Sequence, residues 1–355
     1  MTPTNTALRL PRDRYTSAYT ELAKTIRELG LLRRRYWYYW SRVVTAVVGF
    51  VLVWVAVVAL GNSWFQLICA AALGVVIAQF GFLGHDAAHR QIFASAAWND
   101  WSSRIVSGLI LGMSYGWWKS KHNRHHNAPN QTGKDPDIAP GVIAFTPEDV
   151  ERRPAWLVAI ARFQGWLLIP LLTLEGLSLQ VSSARTLANR RPLAHRWTEV
   201  ALIATRMALY LTALLLILPP GKAFAFLGVQ LAVMGVALGG AFVPNHVGMP
   251  IVPKDAKIDF LRRQVLMSRN IAGGWLVRYG MGGLQCQIEH HLFPSMPRPA
   301  LTEVQPLIKA YCQERDIQYT EVRFGSAYRS VISHLNTVGL RGRNTFTCPL
   351  AADLR

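Results

Sequence analysis

The sequence predicts an all-α integral membrane protein, with four transmembrane helices in two hairpins and a cytosolic helical cap that carries a histidine-rich metal site. Three observations lead to this prediction. Of the 355 residues, 51% are hydrophobic and only 16% are charged, whereas about a quarter are charged in typical soluble domains. Four apolar runs approach the roughly 20 residues that a helix needs to cross a bilayer. Eight of the ten histidines fall in four short segments that follow or lie between these runs.

Residues 1–42 form a polar, basic arm that includes the segments RLPRDR and LLRRR. The arm has no apolar core and no cleavage site of small residues, so we expect no cleaved signal peptide. The positive-inside rule places a segment of this kind in the cytosol.

Two pairs of apolar runs predict the transmembrane hairpins. Only Gly-Asn-Ser separates the runs of the first hairpin, residues 43–83, and only Pro-Pro-Gly-Lys separates those of the second, residues 200–245. These runs must be helices, since backbone groups in lipid have to pair within their own segment. The basic residues 185–196 and the basic arm lie outside the hairpins, so both hairpins should enter from the cytosol and return to it. We therefore expect cytosolic termini and a cytosolic metal site, and the Ala- and Arg-rich composition favours a bacterial inner membrane.

Residues 156–174 form a fifth apolar run, which we predict to lie at the membrane interface instead of crossing the bilayer. The run contains Arg162 and is interrupted by Pro170, and an arginine in the middle of a bilayer costs about 3 kcal/mol on insertion scales. A fifth crossing would also put the histidines before it and after it on opposite faces, where they could not share one site. The cytosolic cap would then consist of residues 84–199, which include this segment, and residues 246–355.

Four short segments contain the histidines that could bind metal. The segment KHNRHHN places its three histidines at positions i, i+3 and i+4, which share one side of a helix. Imidazole binds zinc, copper, iron and nickel, but one zinc ion takes only three or four protein ligands. Eight histidines therefore suit two metal ions with open positions, and nitrogen-rich sites that leave room for dioxygen are typical of iron. The candidate ligands are His85, His89, His122, His125, His126, His246, His290 and His291.

The segments HDAAH, HNRHH and QIEHH occur in this order, with two predicted spans between the second and the third. They resemble the three histidine boxes of the membrane fatty acid desaturase superfamily, and the resemblance extends over about residues 19–320. A third box that begins with Gln, here Gln287, is similar to that of front-end desaturases and many bacterial relatives. The resemblance implies a centre of two iron ions (Fe²⁺ when reduced), bound by the eight histidines with His246 as the eighth ligand. It also implies an oxygen-dependent enzyme that introduces a double bond into a lipid acyl chain.

Five polar residues close in sequence to the histidines are candidates for holding them in place. Metal-bound histidines usually donate their second ring N–H to a carboxylate, a carbonyl or water. The candidates are Asp86, Asp135, Asp137, Glu289 and Gln287. Gln287 stands where one branch of the superfamily has histidine, and we expect it to be a hydrogen-bond donor or a spacer and not a ligand.

The expected partners follow from the chemistry that the resemblance implies. Desaturation consumes O2 and two electrons from an external donor. The chain has no His-Pro-Gly-Gly motif of a fused cytochrome domain and no ferredoxin-like cysteine cluster, so we expect a separate ferredoxin with its reductase. The formal net charge of +18 suits an acidic donor, the phosphates of an acyl-CoA, or anionic head groups of membrane lipid. The acyl carrier stays open among coenzyme A, acyl carrier protein and phospholipid, and without a nucleic-acid motif we do not expect nucleic acid to bind.

Two other functions are compatible with the same residues. A lipid hydroxylase, epoxidase or ketolase of the same superfamily would use the same histidines and insert oxygen instead of removing hydrogen. A zinc-dependent membrane hydrolase or a metal-binding receptor, from a different class, would hold zinc and need neither dioxygen nor a reductant. The context QIEHHLFP and DPDI favours desaturation.

Overall fold

The computed structural model describes residues 13–189 and 192–341, and nearly all of its secondary structure is helical. The predictions for residues 1–12, 190–191 and 342–355 lie outside the described residues. They concern the beginning of the basic arm, two arginines of the basic segment, and the end of the second part of the predicted cap.

Helices follow one another along the described chain. They include one π-helical segment (Val106–Leu111) and one 3₁₀ turn (Pro136–Ile138). Two three-residue strands, β1 (Asn270–Ala272) and β2 (Glu321–Arg323), pair in parallel. Strands this short leave no alternating pattern in the sequence, so the all-α prediction misses them. The α-helices are α1 (Asp13–Glu28), α2 (Tyr36–Leu60), α3 (Gln66–Ala88), α4 (Ala96–Ile105), α5 (Tyr115–Asn127), α6 (Pro147–Glu151), α7 (Ala155–Ala161), α8 (Gln164–Leu172), α9 (Glu175–Ala188), α10 (Arg196–Ile217), α11 (Pro220–His246), α12 (Phe260–Leu266), α13 (Trp275–Gly280), α14 (Gln287–Leu292), α15 (Arg298–Gln313) and α16 (Phe324–Arg341).

Four of the described helices are long and apolar enough to cross a membrane, in agreement with the four candidate spans predicted from the apolar runs, and the fifth apolar run would add a further candidate only if its two bent helices formed one span. The four helices are α2, α3, α10 and α11, with 25, 23, 22 and 27 residues. All four run beyond the predicted bounds, because α2 and α10 begin earlier, at Tyr36 and Arg196, while α3 continues to Ala88 and α11 to His246. Pro244 lies inside the last turn of α11, and prolines are tolerated in such helices where neighbouring groups satisfy the freed backbone. His85 and His246 therefore lie on the candidate spans themselves.

The core of the helical bundle lies between α3 and α11, which pack closely against each other. A Cβ atom at Gly74 would come within 2.8 Å of the backbone oxygen of Gln230, so only glycine allows the two helices to approach this closely. Leu73, Ile77 and Met234 are fully buried in the same hydrophobic core. Because α3 and α11 both end in histidines, this packing fixes where those histidines lie.

The fifth apolar run forms two short helices instead of one straight span. Helices α7 and α8 meet at an angle of 94°, and Trp156 and Trp166 on their outer side are exposed. On the inner side α8 packs against α16, where a Cβ atom at Gly165 would lie 2.3 Å from the backbone oxygen of Ile332. This bent segment, residues 155–172, is named the elbow below. It is held against the C-terminal helix while its outer face stays apolar and exposed.

A second hydrophobic core joins the N-terminal helix to the C-terminal half of the chain. Leu22 and Ile26 of α1 are buried together with Val304 of α15. The hydroxyl of Tyr19 donates a 3.0 Å hydrogen bond to the backbone oxygen of Leu292, at the end of α14. The segment predicted only as a basic arm thus contains a packed helix next to the third histidine box.

Candidate metal centre

Four helices place the eight histidines. His85 lies in the last turn of α3, His89 caps that helix, and His246 is the last residue of α11. Helix α5 carries three histidines and α14 carries two. Helix α5 begins after Ser114, whose hydroxyl accepts a hydrogen bond from the backbone N–H of Trp117. The three histidines of α5 are all buried on the inner side of that helix.

The histidines form two groups of ring nitrogens. In the first group, one ring nitrogen from each of five histidines lies within 4.8 Å of the corresponding nitrogens of the other four. In the second group, the same is true of three histidines. The Nε2–Nε2 distances are 2.8 Å between His89 and His122 and 3.0 Å between His122 and His126. In the second group, Nε2 of His125 is 3.3 Å from Nε2 of His246. The five-histidine group consists of His85, His89, His122, His126 and His290, and the three-histidine group consists of His125, His246 and His291.

Burial disfavours the charged form of several of these imidazoles. Burial, reinforced by the charges of neighbouring histidines, lowers the pKa of His122, His126 and His290 well below the usual value, and the pKa of His291 is lowered for the same reasons. A neutral imidazole offers a nitrogen lone pair to a metal ion. In the part of the chain that the structure describes, the buried Nε2 atoms of His85 and His291 have no hydrogen-bond partner. Buried polar atoms are nearly always paired, so these nitrogens fit metal ligands, and each group could hold one ion of a metal that imidazole suits.

Asp135 holds a histidine of the three-histidine group. Its carboxylate oxygens lie 3.0 and 3.1 Å from Nδ1 of His125, so the Nδ1 proton is donated to the carboxylate and Nε2 faces His246. Burial alone would lower the pKa of His125, but the hydrogen bond to Asp135 and the charges of Asp137 and Asp135 raise it above the usual value. Asp135 also accepts the backbone N–H of Asn130 at 2.8 Å. Such partners fix the tautomer and orientation of a metal-bound ring.

Asp86 and Asp137 also lie beside ring nitrogens. A carboxylate oxygen of Asp86 is 3.4 Å from Nδ1 of His85, and the other forms a 2.6 Å ion pair with Arg298. Asp137 is 3.3 Å from Nδ1 of His125, the same nitrogen that Asp135 contacts. The structure therefore brings these carboxylates to one histidine in each group.

Glu289 faces away from the histidine rings. It accepts hydrogen bonds from the side-chain amide of Asn270 at 2.6 Å and from the hydroxyl of Tyr319 at 2.5 Å. Burial raises the pKa of Glu289 to about 7, against the lowering effect of these two hydrogen bonds. Through these contacts Glu289 ties α14 to β1 and to the segment that leads into β2.

Gln287 lies next to the three-histidine group. Its amide nitrogen is 2.9 Å from Nε2 of His246, and its amide oxygen accepts a 3.2 Å hydrogen bond from Asn245. Asn245 also donates to the backbone oxygens of Ala241 and Leu284. The amide of Gln287 is thus held against Nε2 of His246, at the point on which the ring nitrogens of the three-histidine group converge, and a metal ion bound there would take the lone pair that this amide faces.

Two hydrogen-bond partners that orient histidine rings are not predictable from the sequence. The side-chain oxygen of Gln264 lies 2.9 Å from Nδ1 of His291, and the backbone oxygen of Met267 lies 3.0 Å from Nδ1 of His246. These partners are 27 and 21 residues away from the rings that they contact. No motif spacing in the sequence relates them, so only the fold shows the contacts.

A cavity of about 590 Å³ lies beside the histidines, within the range of about 300–1,000 Å³ that is typical of small-molecule sites. Its polar lining includes Lys121, whose ammonium is 2.6 Å from the carboxylate of Asp137, and Glu175. The remaining walls are mostly apolar. Histidines of both groups line the cavity, namely His85, His122, His125 and His246. The apolar walls include Phe82, Leu111, Leu179, Leu238 and Phe242, and the elbow contributes Leu168, Leu171 and Leu172.

Comparison with known proteins gives matches along most of the chain. Residues 62–323 match the sequence model of a family described as "Fatty acid desaturase". The chain is 27% identical over 307 residues to a Delta(8)-fatty-acid desaturase of Helianthus annuus, covering 80% of this chain and 65% of that protein. It is 29% identical over 283 residues to an acyl-lipid (9-3)-desaturase of Physcomitrium patens, covering 77% and 53%. It is 28% identical over 301 residues to fatty acid desaturase 3 of Bos taurus, covering 81% and 65%. The chain thus spans between about half and two thirds of the length of these relatives.

Proposed function

Because the family match covers most of its residues, the chain belongs to the fatty acid desaturase family, and we propose from this premise that it is an oxygen-dependent desaturase of lipid acyl chains. The observation that carries the proposal is the convergence of eight histidines beside an apolar cavity. Two iron ions, Fe²⁺ when reduced, would be held by the five-histidine group and the three-histidine group. Each of the three relatives is named a desaturase.

The chemistry of the substrate determines what the metal ions and the protein would each contribute. Iron with dioxygen supplies the removal of hydrogen atoms from a methylene group, whose protons no acid or base side chain can take. The protein supplies binding and orientation. Leu111, Leu238 and Phe242 enclose an apolar chain and exclude water. Asp135 holds the Nδ1 proton of His125, which leaves Nε2 of that ring for the ion.

The membrane arrangement is part of the proposal. Helices α2–α3 and α10–α11 would form two hairpins that enter from the cytosol, under a cap built from residues 84–199 and the described part of residues 246–355. Histidines from the ends of α3 and α11 converge, which supports the placement of both helix ends on the same side of the membrane. The 94° bend of the elbow and the exposed Arg162 support an interfacial position for residues 156–174. Composition supports a bacterial inner membrane, although the three relatives named above are eukaryotic.

The proposed reaction needs an electron donor. Reducing O2 to two molecules of water takes four electrons, and breaking two C–H bonds of the substrate supplies only two. We propose ferredoxin with its reductase as the source of the other two. Among the eight histidines His89 is the least buried, and the exposed Arg90 follows it, so an acidic donor could approach the five-histidine group there.

Expression in a host of known lipid profile tests the proposal. Mass spectrometry should find new acyl chains that have lost two hydrogen atoms, with the double bond at one position. A gain of one oxygen atom instead would identify a hydroxylase, epoxidase or ketolase. Metal analysis of the active protein should find iron, and zinc without iron would overturn the di-iron proposal in favour of a hydrolase or a receptor.

A further inference from the structure

We propose that the cavity receives its acyl chain sideways from the bilayer, through an opening between the end of the elbow and the loop that precedes it, so that the substrate is an acyl chain esterified to a membrane lipid. The inference rests on the proposed desaturase function and adds the form in which the substrate arrives. The opening, named the lateral mouth below, is formed by residues 139–142 and 174–178.

The lateral mouth is where residues that line the cavity are also exposed on the surface. Val142 is 66% exposed and Leu174 is 55% exposed, although both line the cavity. Ser178 combines the same two properties. Phe82 and Leu111, on other walls of the cavity, are buried. The cavity therefore communicates with the outside between residues 139–142 and 174–178.

The surface around the lateral mouth is apolar. Leu168 and Leu172 of α8 line the cavity, while Trp166 and Ile169 of the same helix are 61% and 49% exposed. Leu177, within the mouth, is also exposed. Contiguous exposed apolar side chains mark contact with a membrane or a partner. In a chain with four candidate spans, the bilayer is the occupant that fits this face.

The loop at the mouth is held in place through its backbone. The guanidinium of Arg153 donates hydrogen bonds to the backbone oxygens of Gly141 and Val142, at 2.5 and 2.8 Å. The side chain of Gln164 in the elbow accepts the backbone N–H of Ala144 at 2.9 Å and donates to its backbone oxygen at 3.0 Å. The loop is therefore fixed to the elbow by hydrogen bonds. Because the elbow is proposed to lie in the membrane interface, the lateral mouth lies at the level of the lipid.

The charges around the mouth keep a phosphate-bearing head group outside the cavity. Among the described residues that line the cavity, the three carboxylates of Asp135, Asp137 and Glu175 outnumber the single ammonium, that of Lys121. Because Lys121 is paired with Asp137, none of these residues offers an unpaired cation that could bind a phosphate inside the cavity. Arg152 and Arg162 are exposed on the segment that carries the elbow, where they can meet the phosphates of lipid head groups. A lipid head group can stay at the surface while its acyl chain enters.

Photo-crosslinking tests the lateral mouth without turnover. The full-length protein with its metal, but without a reductant, is placed in vesicles that contain phosphatidylcholine with a diazirine near the end of one acyl chain. We expect cross-links inside the cavity, on the peptides that contain Leu179 and Leu238. Val142→Arg should reduce this labelling about tenfold, because a charge in the mouth opposes the entry of an acyl chain, and Val142→Leu should leave it unchanged. Trp275→Arg, at an exposed apolar residue outside the cavity lining, is the matched control, and Leu174→Arg serves if Val142→Arg does not fold.

The possible outcomes distinguish failure of the lateral mouth from failure of the desaturase function on which it rests. Labelling of the cavity by a diazirine acyl-CoA but not by the phospholipid would overturn the lateral mouth and leave the desaturase function standing. Unchanged labelling in both arginine variants would also overturn it. Labelling by the phospholipid, with a new double bond in that same lipid once O2 and a reductant are supplied, supports both. Labelling by the phospholipid with no new double bond from either substrate supports the mouth and overturns the desaturase function.

Discussion

Replacing Asp135 with asparagine tests whether a buried carboxylate strengthens metal binding in the three-histidine group. Asp135 is only 2% exposed, and its oxygens lie 3.0 and 3.1 Å from Nδ1 of His125. Asp135→Asn keeps the shape of the side chain, and its amide oxygen can still accept the backbone N–H of Asn130. The change removes the negative charge that makes His125 a more basic ligand.

The expected loss is confined to the three-histidine group. Removing the partner of a metal-bound histidine typically lowers metal affinity about 10- to 100-fold, which corresponds to about 1.4–2.8 kcal/mol. Asp137 lies 3.3 Å from the same nitrogen of His125 but is partly exposed, so it can replace only part of the lost interaction. We therefore expect an effect of at least about tenfold.

Iron content at increasing chelator concentrations measures this effect. In Asp135→Asn, one of the two iron ions should leave at a chelator concentration about 10- to 100-fold below that of the wild type, and product formation should fall with it. Asp149→Asn is the matched control, because Asp149 accepts a backbone N–H in the capping box of α6, a helix that carries no histidine. Retention of both ions at wild-type chelator concentrations would refute the reasoning.

Three further predictions concern the ligands and the packing around them. His125→Ala removes one ligand of the three-histidine group, so it should abolish product formation while the protein stays in the membrane fraction; wild-type turnover would contradict the ligand assignment. Removing metal should lower the unfolding temperature, since an ion present at about a thousand times its dissociation constant stabilises a protein by about 4 kcal/mol; equal temperatures with and without metal would argue against a bound ion. Gly235→Val should destabilise the protein by about 1–3 kcal/mol, because a Cβ atom there would lie 2.5 Å from the backbone oxygen of Leu172. Gly228→Val on the same helix, where a Cβ atom meets nothing within 4 Å, should unfold like the wild type in the same thermal scan.

The candidate spans can be predicted from the sequence because the length of an apolar run is a local property that the bilayer constrains. The ends of these helices cannot be predicted in the same way. Apolar character decreases at Gly84 and at Pro244, yet α3 and α11 continue to Ala88 and His246. Packing between the helices outweighs the local preferences of these few residues.

The contacts that orient the histidine rings depend even more on the fold. Gln264 and the backbone of Met267 reach His291 and His246 from distant positions, and no local rule relates such pairs. Proximity in sequence also does not predict which way a side chain points. Glu289 directly precedes a histidine, but consecutive residues of a helix point about 100° apart, so its carboxylate lies among other partners.

The same rotation explains how two helices can serve both histidine groups. His125 and His126 are neighbours on α5, and His290 and His291 are neighbours on α14, yet each pair is divided between the three-histidine and the five-histidine group. Because these neighbours point about 100° apart on rigid helices, α5 and α14 set the spacing between the two proposed ions. His122 and His125 of α5 also line the cavity, so α5 positions the acyl chain relative to both groups. A contact that fixes α5, such as that of Asp135 with His125, therefore bears on both proposed ions and on the substrate together.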